Sequence, residues 1–264
     1  MRASIEHCPG VLLADTLTGA PGVVDLWYWL YERTPERVLM QTCAGLMSSD
    51  ERDRCRAFRF ERDRCLFLAT RALARTVLSR YASVSPAEWR FSGDASGKPH
   101  ITHPAVVPTL HFNLSNTPGL VACAVRVAPA PVGVDAERTE RVVDYIGLAK
   151  RYFSPSEARA LDALPSSDRP RRFFTYWTLK ESYVKAKGLG LTIPLDRFSF
   201  IVQDDEVRVA FDASLADDER CWRFASLDVP PCHLIGVAAN TGGAPLSLRA
   251  THIVPLDWLP SRHG

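Results

Sequence analysis

The chain has 264 residues, of which 46% are hydrophobic and 23% charged, and its formal net charge is +2. These proportions are ordinary for a soluble globular protein and exclude collagen, coiled coil and wholesale disorder. The longest apolar runs fall far short of the roughly 20 residues of a membrane span, and the near-neutral charge does not predict nucleic-acid binding. Seven scattered cysteines without a C-x-x-C pair favour the reducing cytoplasm over a zinc site or a disulfide framework.

The basic residues are unevenly divided, since 27 are Arg and only 5 are Lys. Three of the lysines, Lys180, Lys185 and Lys187, lie within eight residues of one another. Lysine is a compact point charge with a tunable pKa, whereas arginine is a planar fork. The clustering of the scarce lysines therefore indicates a site for a phosphate or a leaving group.

The first part of the chain predicts strands on both sides of one long helix. The aromatic run at 25–32 is typical of a strand. A helix begins within 48–58, where Ser48 or Ser49 can cap it and acidic residues follow. Apolar residues then recur at helical spacing over 61–81. The remaining elements are a strand–turn–strand unit over 89–101 and strands at 110–117 and 120–127.

The second part repeats this order after a Pro-rich joint at 128–133, which divides the chain into 1–129 and 130–264. Its predicted elements are a strand at 132–138, a helix at 154–164 with Ser154 as cap, a long helix at 169–188, and four strands within 195–239. We therefore expect an α+β fold. It would be a pseudo-twofold monomer of two similar α/β halves, each a long helix packed on an antiparallel sheet, with the active site between the halves.

Two carboxylates, Asp135 and Glu137, lie in the strand candidate VGVDAER. Residues i and i+2 of a strand point to the same side, and two carboxylates on one face raise each other's pKa unless a cation lies between them. A solvated strand end is the plainer interpretation of such a pair. The apolar VGV run before it favours a partly buried strand end and, with it, a metal.

A second group of residues lies on the long helix at 169–188. Trp177, Glu181 and Lys185 follow at i, i+4 and i+8 along one stripe, and Lys180 lies beside Trp177. An ordinary surface pair of Glu181 and Lys185 is one interpretation. It leaves the bulky Trp177 on the same stripe unexplained.

Three carboxylates with lysines near by suit a hard divalent ion such as Mg²⁺, which prefers oxygen ligands and is usually completed by substrate phosphates. No cluster of His or Cys in the sequence competes for a softer metal. The surrounding cations then become candidate phosphate ligands: Lys98, Lys180, Lys185 and the Arg-rich helix. From the residues alone, the sequence predicts Mg²⁺-assisted chemistry on a polyphosphate.

Five short motifs carry a resemblance to a known family. GVDAE at 133–137 and WTLKES at 177–182 are similar to the paired signatures of the 4'-phosphopantetheinyl transferases, and their separation of about 40 residues fits. GKP at 97–99, HFNLS at 111–115 and the GLGL and PLD segments within 188–198 match further, in the right order. The length resembles that of the large monomeric class, which the surfactin synthetase activator typifies.

The resemblance implies a role for each matching residue. Asp135, Glu137 and Glu181 would bind Mg²⁺. The residues that would bind coenzyme A, at its adenine, 3'-phosphate or diphosphate, are Arg52, Arg54, Arg71, Lys98, Pro99, Ser115, Asn116, Lys180 and Lys185. Two positions depart from the family pattern, since Asn116 stands where His is common and Glu51 where some relatives have Lys. Both changes bear on the affinity for coenzyme A.

The resemblance also implies an activity, the transfer of the 4'-phosphopantetheine arm of coenzyme A to a serine of an apo acyl or peptidyl carrier protein. The serine attacks the β-phosphorus, and adenosine 3',5'-bisphosphate leaves. Since a serine hydroxyl needs a base, Glu181 is the candidate, acting directly or through a water on the metal. Asp135 belongs to the metal site, and Lys185 would neutralise or protonate the leaving phosphate.

Two other interpretations stay open at this point. The Arg-rich helix over 52–80 is compatible with a binding module for nucleic acid or another anionic partner without catalysis, although the five acids within 50–80 and the near-neutral total charge argue against that. A catalytically silent relative is the other, although the metal carboxylates and Lys185 are all present. The carrier that would be served is not encoded in any of these motifs.

Overall fold

The computed structural model describes residues 4–7, 19–93, 97–127, 129–203 and 206–255. The helices are α1 Glu36–Cys43, α2 Ser49–Ala57, α3 Glu61–Leu78, α4 Tyr145–Tyr152, α5 Pro155–Asp162 and α6 Arg169–Lys187. The strands are β1 Ser4–His7, β2 Val23–Leu30, β3 Arg90–Gly93, β4 Pro99–His103, β5 His111–Thr117, β6 Leu120–Arg126, β7 Val132–Arg138, β8 Phe198–Gln203, β9 Glu206–Phe211, β10 Trp222–Val229, β11 His233–Asn240 and β12 Ser247–His252.

Two sheets are stacked face to face between two layers of helices. The larger sheet has the strand order β1-β12-β2-β6-β5, and the smaller has the order β10-β11-β7. Along β2, Val24 and Leu26 point into the core between the sheets, whereas Trp27 and Trp29 point to the helical layer that contains α1 and α3. This alternation is what a strand buried on both faces requires. Helix α6 packs on the outer face of the smaller sheet.

Local sequence signals position three of the helices as predicted. Ser48 caps α2 and Ser154 caps α5, each in a capping box with the glutamate three residues on, Glu51 or Glu157. Helix α6 ends where Gly188 adopts the left-handed conformation, with φ of 68°. The mixture of helices and sheets that the sequence predicts is confirmed.

The expected antiparallel sheet in the first half is wrong in one respect. Strand β12, which comes from the segment 130–264, lies between β1 and β2 and runs parallel to both. Its Leu248 and Ala250 are buried in the core between the sheets. The larger sheet is therefore mixed, because the last described strand returns across the joint to bury these side chains.

None of the described helices combines the length and the apolar character that crossing a membrane requires. Two separate hairpins, β3–β4 and β8–β9, flank the stacked sheets. The first of these hairpins lies beside the residues that the sequence singles out, as described next.

Candidate active site

The predicted site lies where the edge strands of the two sheets meet. Strand β5 is the edge of the larger sheet and β7 is the edge of the smaller one. The Ser115 hydroxyl donates to Asp135 Oδ1 at 3.1 Å and accepts from the backbone N–H of Ala136 at 3.1 Å. Both side chains are buried. The structure thus brings together a residue of the HFNLS motif and one of the GVDAE motif.

Lys185 of α6 joins the same pair. Its ammonium lies 2.6 Å from Asp135 Oδ1 and donates to Ser115 Oγ at 2.9 Å. Burial raises the pKa of Asp135, and the Lys185 charge and hydrogen bond oppose that shift. The second carboxylate oxygen, Asp135 Oδ2, is buried without a hydrogen-bond partner in the described part of the chain.

The middle of helix α6 leaves only a narrow stripe accessible, because its other side chains there are buried. Across positions 173–186, all of which are described, only Trp177, Glu181 and Lys185 are partly exposed. This is the i, i+4, i+8 stripe that the sequence predicts. The prediction that these three side chains share one accessible face is confirmed.

Two glycines allow α6 to lie close on the smaller sheet. A Cβ at Gly133 of β7 would overlap the carbonyl oxygen of Ser182, and a Cβ at Gly236 of β11 would come 2.6 Å from the carbonyl of Thr178. Any larger residue at Gly133 would push α6 away from β7. The glycine of the GVDAE motif therefore brings the helix stripe to the strand carboxylates.

Glu137 and Glu181 complete a group of three carboxylates with Asp135. Burial raises the pKa of both glutamates, and repulsion from Asp135 raises both further. Arg141 pairs with Glu137 at 3.3 Å and acts in the opposite direction. As they stand, no three His, Cys, Asp or Glu side chains among the described residues are gathered closely enough to hold a metal.

The chemistry of this group nevertheless fits Mg²⁺. All its donors are carboxylate oxygens, which this ion prefers. Asp135 Oδ2 is a buried acceptor that has no hydrogen-bond partner among the described residues. The three carboxylates repel one another, and the ammonium of Lys185 pairs with Asp135. Asp135, Glu137 and Glu181 are thus the residues that would hold the ion.

A cavity of about 660 Å³ opens between α2, α3 and the β3–β4 hairpin, and its wall includes Leu114 and Asn116, the neighbours of Ser115 on β5. We refer to this cavity, together with the Ser115–Asp135 junction and the α6 stripe, as the cleft. Four of the predicted coenzyme ligands line the cavity: Arg54, Arg71, Pro99 and Asn116. Two further arginines, Arg75 and Arg90, also line it and were not singled out from the sequence.

Glu51 forms ion pairs with two arginines of α3 that line the cavity. It pairs with Arg75 at 2.7 Å and with Arg71 at 3.5 Å. Arg75 is 1% exposed and also donates to the backbone carbonyls of Pro86 and Trp89, so it is committed to the protein. Its helical spacing from Arg71 was the only signal in the sequence for its place in the cavity.

Arg54 and Arg71 are better placed to take an anion. Both guanidinium groups lie over the ring of Phe67, at 5.6 Å and 5.4 Å from its centroid. Arg54 is exposed and Arg71 half-buried. A flat ring beneath two cations holds them in the cavity wall without neutralising them.

Lys180 requires a correction. Its side chain is fully buried, and its ammonium pairs with Glu157 at 2.8 Å. It also donates to the backbone carbonyls of Leu195 and Phe198 at 2.7 Å and 2.6 Å. The expected position at the phosphates is not what the structure has, because this side of α6 faces the core and the ammonium ties α6 to α5 and to the start of β8.

Two other predicted ligands also lie apart from the cavity. Arg52 donates to the backbone carbonyls of Met47, at 2.7 Å, and Ala44, and it is not part of the cavity wall. The Lys98 ammonium lies 2.9 Å from the backbone carbonyl of Lys185, at the end of α6. Lys98 lines a neighbouring cavity of about 340 Å³. In the structure, Arg52 thus binds the backbone that precedes α2, and Lys98 binds the backbone at the end of α6.

Comparisons with known proteins agree with this arrangement. Residues 131–238 match the family model of the 4'-phosphopantetheinyl transferase superfamily, and residues 32–128 match that of the N-terminal part of 4'-phosphopantetheinyl transferases. The 4'-phosphopantetheinyl transferase Sfp of Bacillus subtilis is 32% identical over 74% of this chain and 83% of its own. The chain belongs to the 4'-phosphopantetheinyl transferase family.

Other members of the family show similar likeness. The 4'-phosphopantetheinyl transferase HetI of a Nostoc species is 38% identical over 64% of this chain and 70% of its own. A phosphopantetheinyl transferase of a Thraustochytrium species is 33% identical over 76% of this chain and 74% of its own. The predicted family and enzyme class are confirmed, and the interpretation as an Arg-rich binding module loses its basis.

Proposed function

We propose that this transferase moves the 4'-phosphopantetheine arm of coenzyme A onto a serine hydroxyl of an apo acyl or peptidyl carrier protein and releases adenosine 3',5'-bisphosphate. The observation that carries the proposal is the junction of Ser115, Asp135 and Lys185 beside a cavity lined by arginines. The diphosphate of coenzyme A needs cations near it, and the separate 3'-phosphate needs a second basic site. The cleft supplies both.

The reaction forms one P–O bond and breaks another. The carrier serine oxygen attacks the β-phosphorus of coenzyme A, and the bond from that phosphorus to the bridging oxygen breaks. The serine proton passes to a base, and the electron pair of the broken bond leaves with the bisphosphate. Such a reaction depends on positioning and on electrostatic stabilisation more than on covalent chemistry of the protein.

Glu181 is the base that we propose. Burial and repulsion from the two other carboxylates raise its pKa, so its carboxylate takes up a proton more readily than an ordinary glutamate does. It lies on the accessible stripe of α6, where an incoming hydroxyl can approach. Glu181 also shares the task of holding Mg²⁺ with Asp135 and Glu137. When bound, this ion supplies positive charge that stabilises the negative charge developing on the diphosphate.

Lys185 neutralises or protonates the leaving phosphate in this proposal. Its side chain is 31% exposed, so its ammonium is accessible from the cleft while it contacts Ser115 and Asp135. Ser115 and Asn116 contribute polar groups from the first half. Arg54 and Arg71 bind the 3'-phosphate, and Pro99 and Lys98 hold the β3–β4 hairpin at the adenine side.

The proposal includes a monomer in which the halves 1–129 and 130–264 are related by a pseudo-twofold axis, with the active site between them. What supports it is that α3 packs on the larger sheet and α6 on the smaller, and that Ser115 and Asp135 come from different halves. We place the reaction in the cytoplasm, because the six cysteines within the described ranges are free thiols, as is usual in a reducing compartment.

The test is direct. The enzyme is incubated with coenzyme A, Mg²⁺ and a panel of apo carriers from fatty-acid, polyketide and non-ribosomal peptide systems, and each carrier is weighed by mass spectrometry. We expect at least one carrier to gain the mass of the arm, with release of an equal amount of adenosine 3',5'-bisphosphate. No gain on any carrier, together with no binding of coenzyme A in calorimetry, would contradict the proposal.

A further inference from the structure

Strands β5 and β7 are joined at the cleft through side chains. Asn113 Oδ1 accepts from the backbone N–H of Val134 at 2.9 Å, and Ser115 Oγ accepts from that of Ala136 at 3.1 Å. The two acceptors are two residues apart on β5, and the two donors are two residues apart on β7. Because a strand repeats every two residues, both bonds lie on the same side. We call these two hydrogen bonds the seam.

The two N–H groups of the seam are not used in the pairing of β7 with its neighbouring strand. On its other edge β7 pairs with β11, with Asp135 opposite Gly236. In an antiparallel ladder, alternate residues direct their N–H groups to the partner strand. The N–H groups of Val134 and Ala136 point the other way, towards β5. A buried N–H without an acceptor is destabilising, so Asn113 and Ser115 each satisfy a donor that would otherwise be buried unpaired.

The seam determines which residues face each other across the cleft. Asp135 lies between the two seam donors, and its Oδ1 accepts from Ser115 at 3.1 Å. Ser115 Oγ is fully engaged, because it also accepts from Lys185 at 2.9 Å. Ser115 alone would join β5 to β7 through a side chain at one point. The second anchor, Asn113, is 3% exposed and makes contact with β7 at a separate point.

We propose that Asn113 is a positioning residue for the transfer reaction. Its carboxamide oxygen locks β5 against β7 and so fixes the separation between the coenzyme A side of the cleft and the carboxylate side. Its side chain acts through the backbone of Val134 and touches no reacting group. The proposal rests on the proposed function, since it concerns the same cleft. It gives a task to the asparagine of HFNLS, a motif in which only the serine had one.

The expected effect follows from the geometry of the reaction. The carboxylates of β7 and α6 would hold Mg²⁺ and the polar groups of β5 would hold part of the diphosphate, so a looser seam makes the two halves of the site less well matched. A displacement of about 1 Å can cost on the order of 10²-fold in rate. We expect both a lower kcat and a higher concentration of Mg²⁺ at half-maximal rate.

The test uses a matched pair of variants, Asn113→Ser and Asn113→Ala. Both remove the carboxamide, and they differ by one hydroxyl oxygen. A serine keeps an acceptor oxygen on the side of β5 that faces Val134, of the kind that Ser115 presents to Ala136 two residues further on. We expect Asn113→Ala to lower kcat by about 10- to 100-fold and to raise the Mg²⁺ midpoint several-fold. We expect Asn113→Ser to stay within about threefold of the wild type, a margin typical of a retained hydrogen bond.

Two further variants complete the design. Thr117→Val is the control, because Thr117 lies on the same face of β5 and takes no part in the seam. If Asn113→Ala does not fold, Asn113→Leu replaces it, since leucine fills the volume without an acceptor. A merely structural role would lower the melting temperature and the folded fraction but would leave the Mg²⁺ midpoint where it is.

Amide hydrogen exchange at Val134, measured by NMR without substrate, separates the two levels of the proposal. Faster exchange in Asn113→Ala than in Asn113→Ser, with a raised Mg²⁺ midpoint, supports the positioning role. Wild-type exchange at Val134 and a wild-type Mg²⁺ midpoint in Asn113→Ala would overturn it, even when the wild type transfers the arm normally. If the wild type modifies no carrier, the proposed function fails instead, and the exchange rates alone decide whether Asn113 locks the strands.

Discussion

The ammonium of Lys185 lies 2.6 Å from Oδ1 of Asp135, and this ion pair joins helix α6 to strand β7 in the middle of the cleft. Burial raises the pKa of Asp135, so the protein needs a cation there to keep the carboxylate charged. Lys185 meets that need from the same stripe that carries Glu181. The pair therefore links the charge state of the strand motif to the position of the helix motif.

Replacing Lys185 with Met is expected to lower the transfer rate by about 10²–10³, comparable to the loss of one preorganised contact to the developing charge. It should also lower the melting temperature of the metal-free protein, because the buried Asp135 carboxyl group loses the cation that offsets the cost of its burial. Mg²⁺ should then raise the melting temperature of the variant more than that of the wild type. Lys150→Met, at an exposed position on α4, is the control. A wild-type transfer rate in Lys185→Met would show that Lys185 has no role in the reaction.

The cavity beside α3 predicts how coenzyme A is bound. Arg54→Ala and Arg71→Ala should each raise the KM for coenzyme A by about 10- to 100-fold, because each removes a charged hydrogen bond to the 3'-phosphate. Since that contact is the same in the ground and transition states, kcat should change little. Arg62→Ala, at an exposed position of the same helix, should behave as the wild type.

Dephospho-coenzyme A, which lacks the 3'-phosphate, provides the matching change in the ligand. With this substrate the KM of Arg71→Ala should equal that of the wild type, because the partner of the arginine is already gone. Steady-state kinetics with both substrates measures the coupling. An equal loss with either substrate would place the 3'-phosphate elsewhere.

The buried pair of Lys180 and Glu157 predicts a loss of stability and not of coenzyme binding. Removing one partner of such a pair costs about 3–5 kcal/mol, so Lys180→Met should lower the free energy of unfolding in urea by that amount. Its KM for coenzyme A should stay at the wild-type value in the folded fraction. The double variant with Glu157→Gln should be destabilised by less than the sum of the single changes. A raised KM for coenzyme A with an unchanged free energy of unfolding would show that Lys180 binds the phosphates after all.

The contrast between Lys180 and Lys185 shows what the sequence could predict. Helical spacing places Trp177, Glu181 and Lys185 on one stripe, and the strand period places Asp135 and Glu137 on one face, so the central group follows from local geometry. Spacing does not say which side of a helix a sheet will cover. Lys180 therefore stood beside Trp177 in the sequence but faces the core in the fold.

Long-range pairings also lie beyond the reach of sequence patterns. The contact of Asn113 with Val134 joins side chain to backbone between two sheets, and no periodicity marks such a contact. Strand β12 was missed for a similar reason, because its place between β1 and β2 depends on the core that Leu248 completes. The caps of α2 and α5 are local and were predicted correctly.

The environment of Asp217 predicts how acid changes the stability of the fold at the end of α6. Burial is the largest influence on this carboxyl group and raises its pKa, but hydrogen bonds from Tyr183, Trp222 and Lys187 together lower it below the ordinary value. Because the pKa is lower in the folded state than in the unfolded one, this group stabilises the fold above its unfolded pKa. That stability is lost as the pH falls through the folded pKa.

Asp217→Asn should therefore lower the free energy of unfolding at neutral pH and make it less sensitive to acid. Urea unfolding of both proteins, at neutral pH and at a pH below the ordinary range of aspartate, measures the difference. Asp228→Asn, at an exposed carboxylate on β10, is the control. Parallel pH profiles for Asp217→Asn and the wild type would show that the three donors do not stabilise the carboxylate.

The central claim is that the group around Asp135, Glu181 and Lys185 transfers the arm of coenzyme A to a carrier serine. The most direct measurement is the rate of mass gain of an accepted apo carrier with saturating coenzyme A and Mg²⁺, for the wild type, Glu181→Gln and the exposed control Glu219→Gln. We expect the control to match the wild type and Glu181→Gln to be slower by about 10²–10³. A wild-type rate of mass gain in Glu181→Gln would contradict the account.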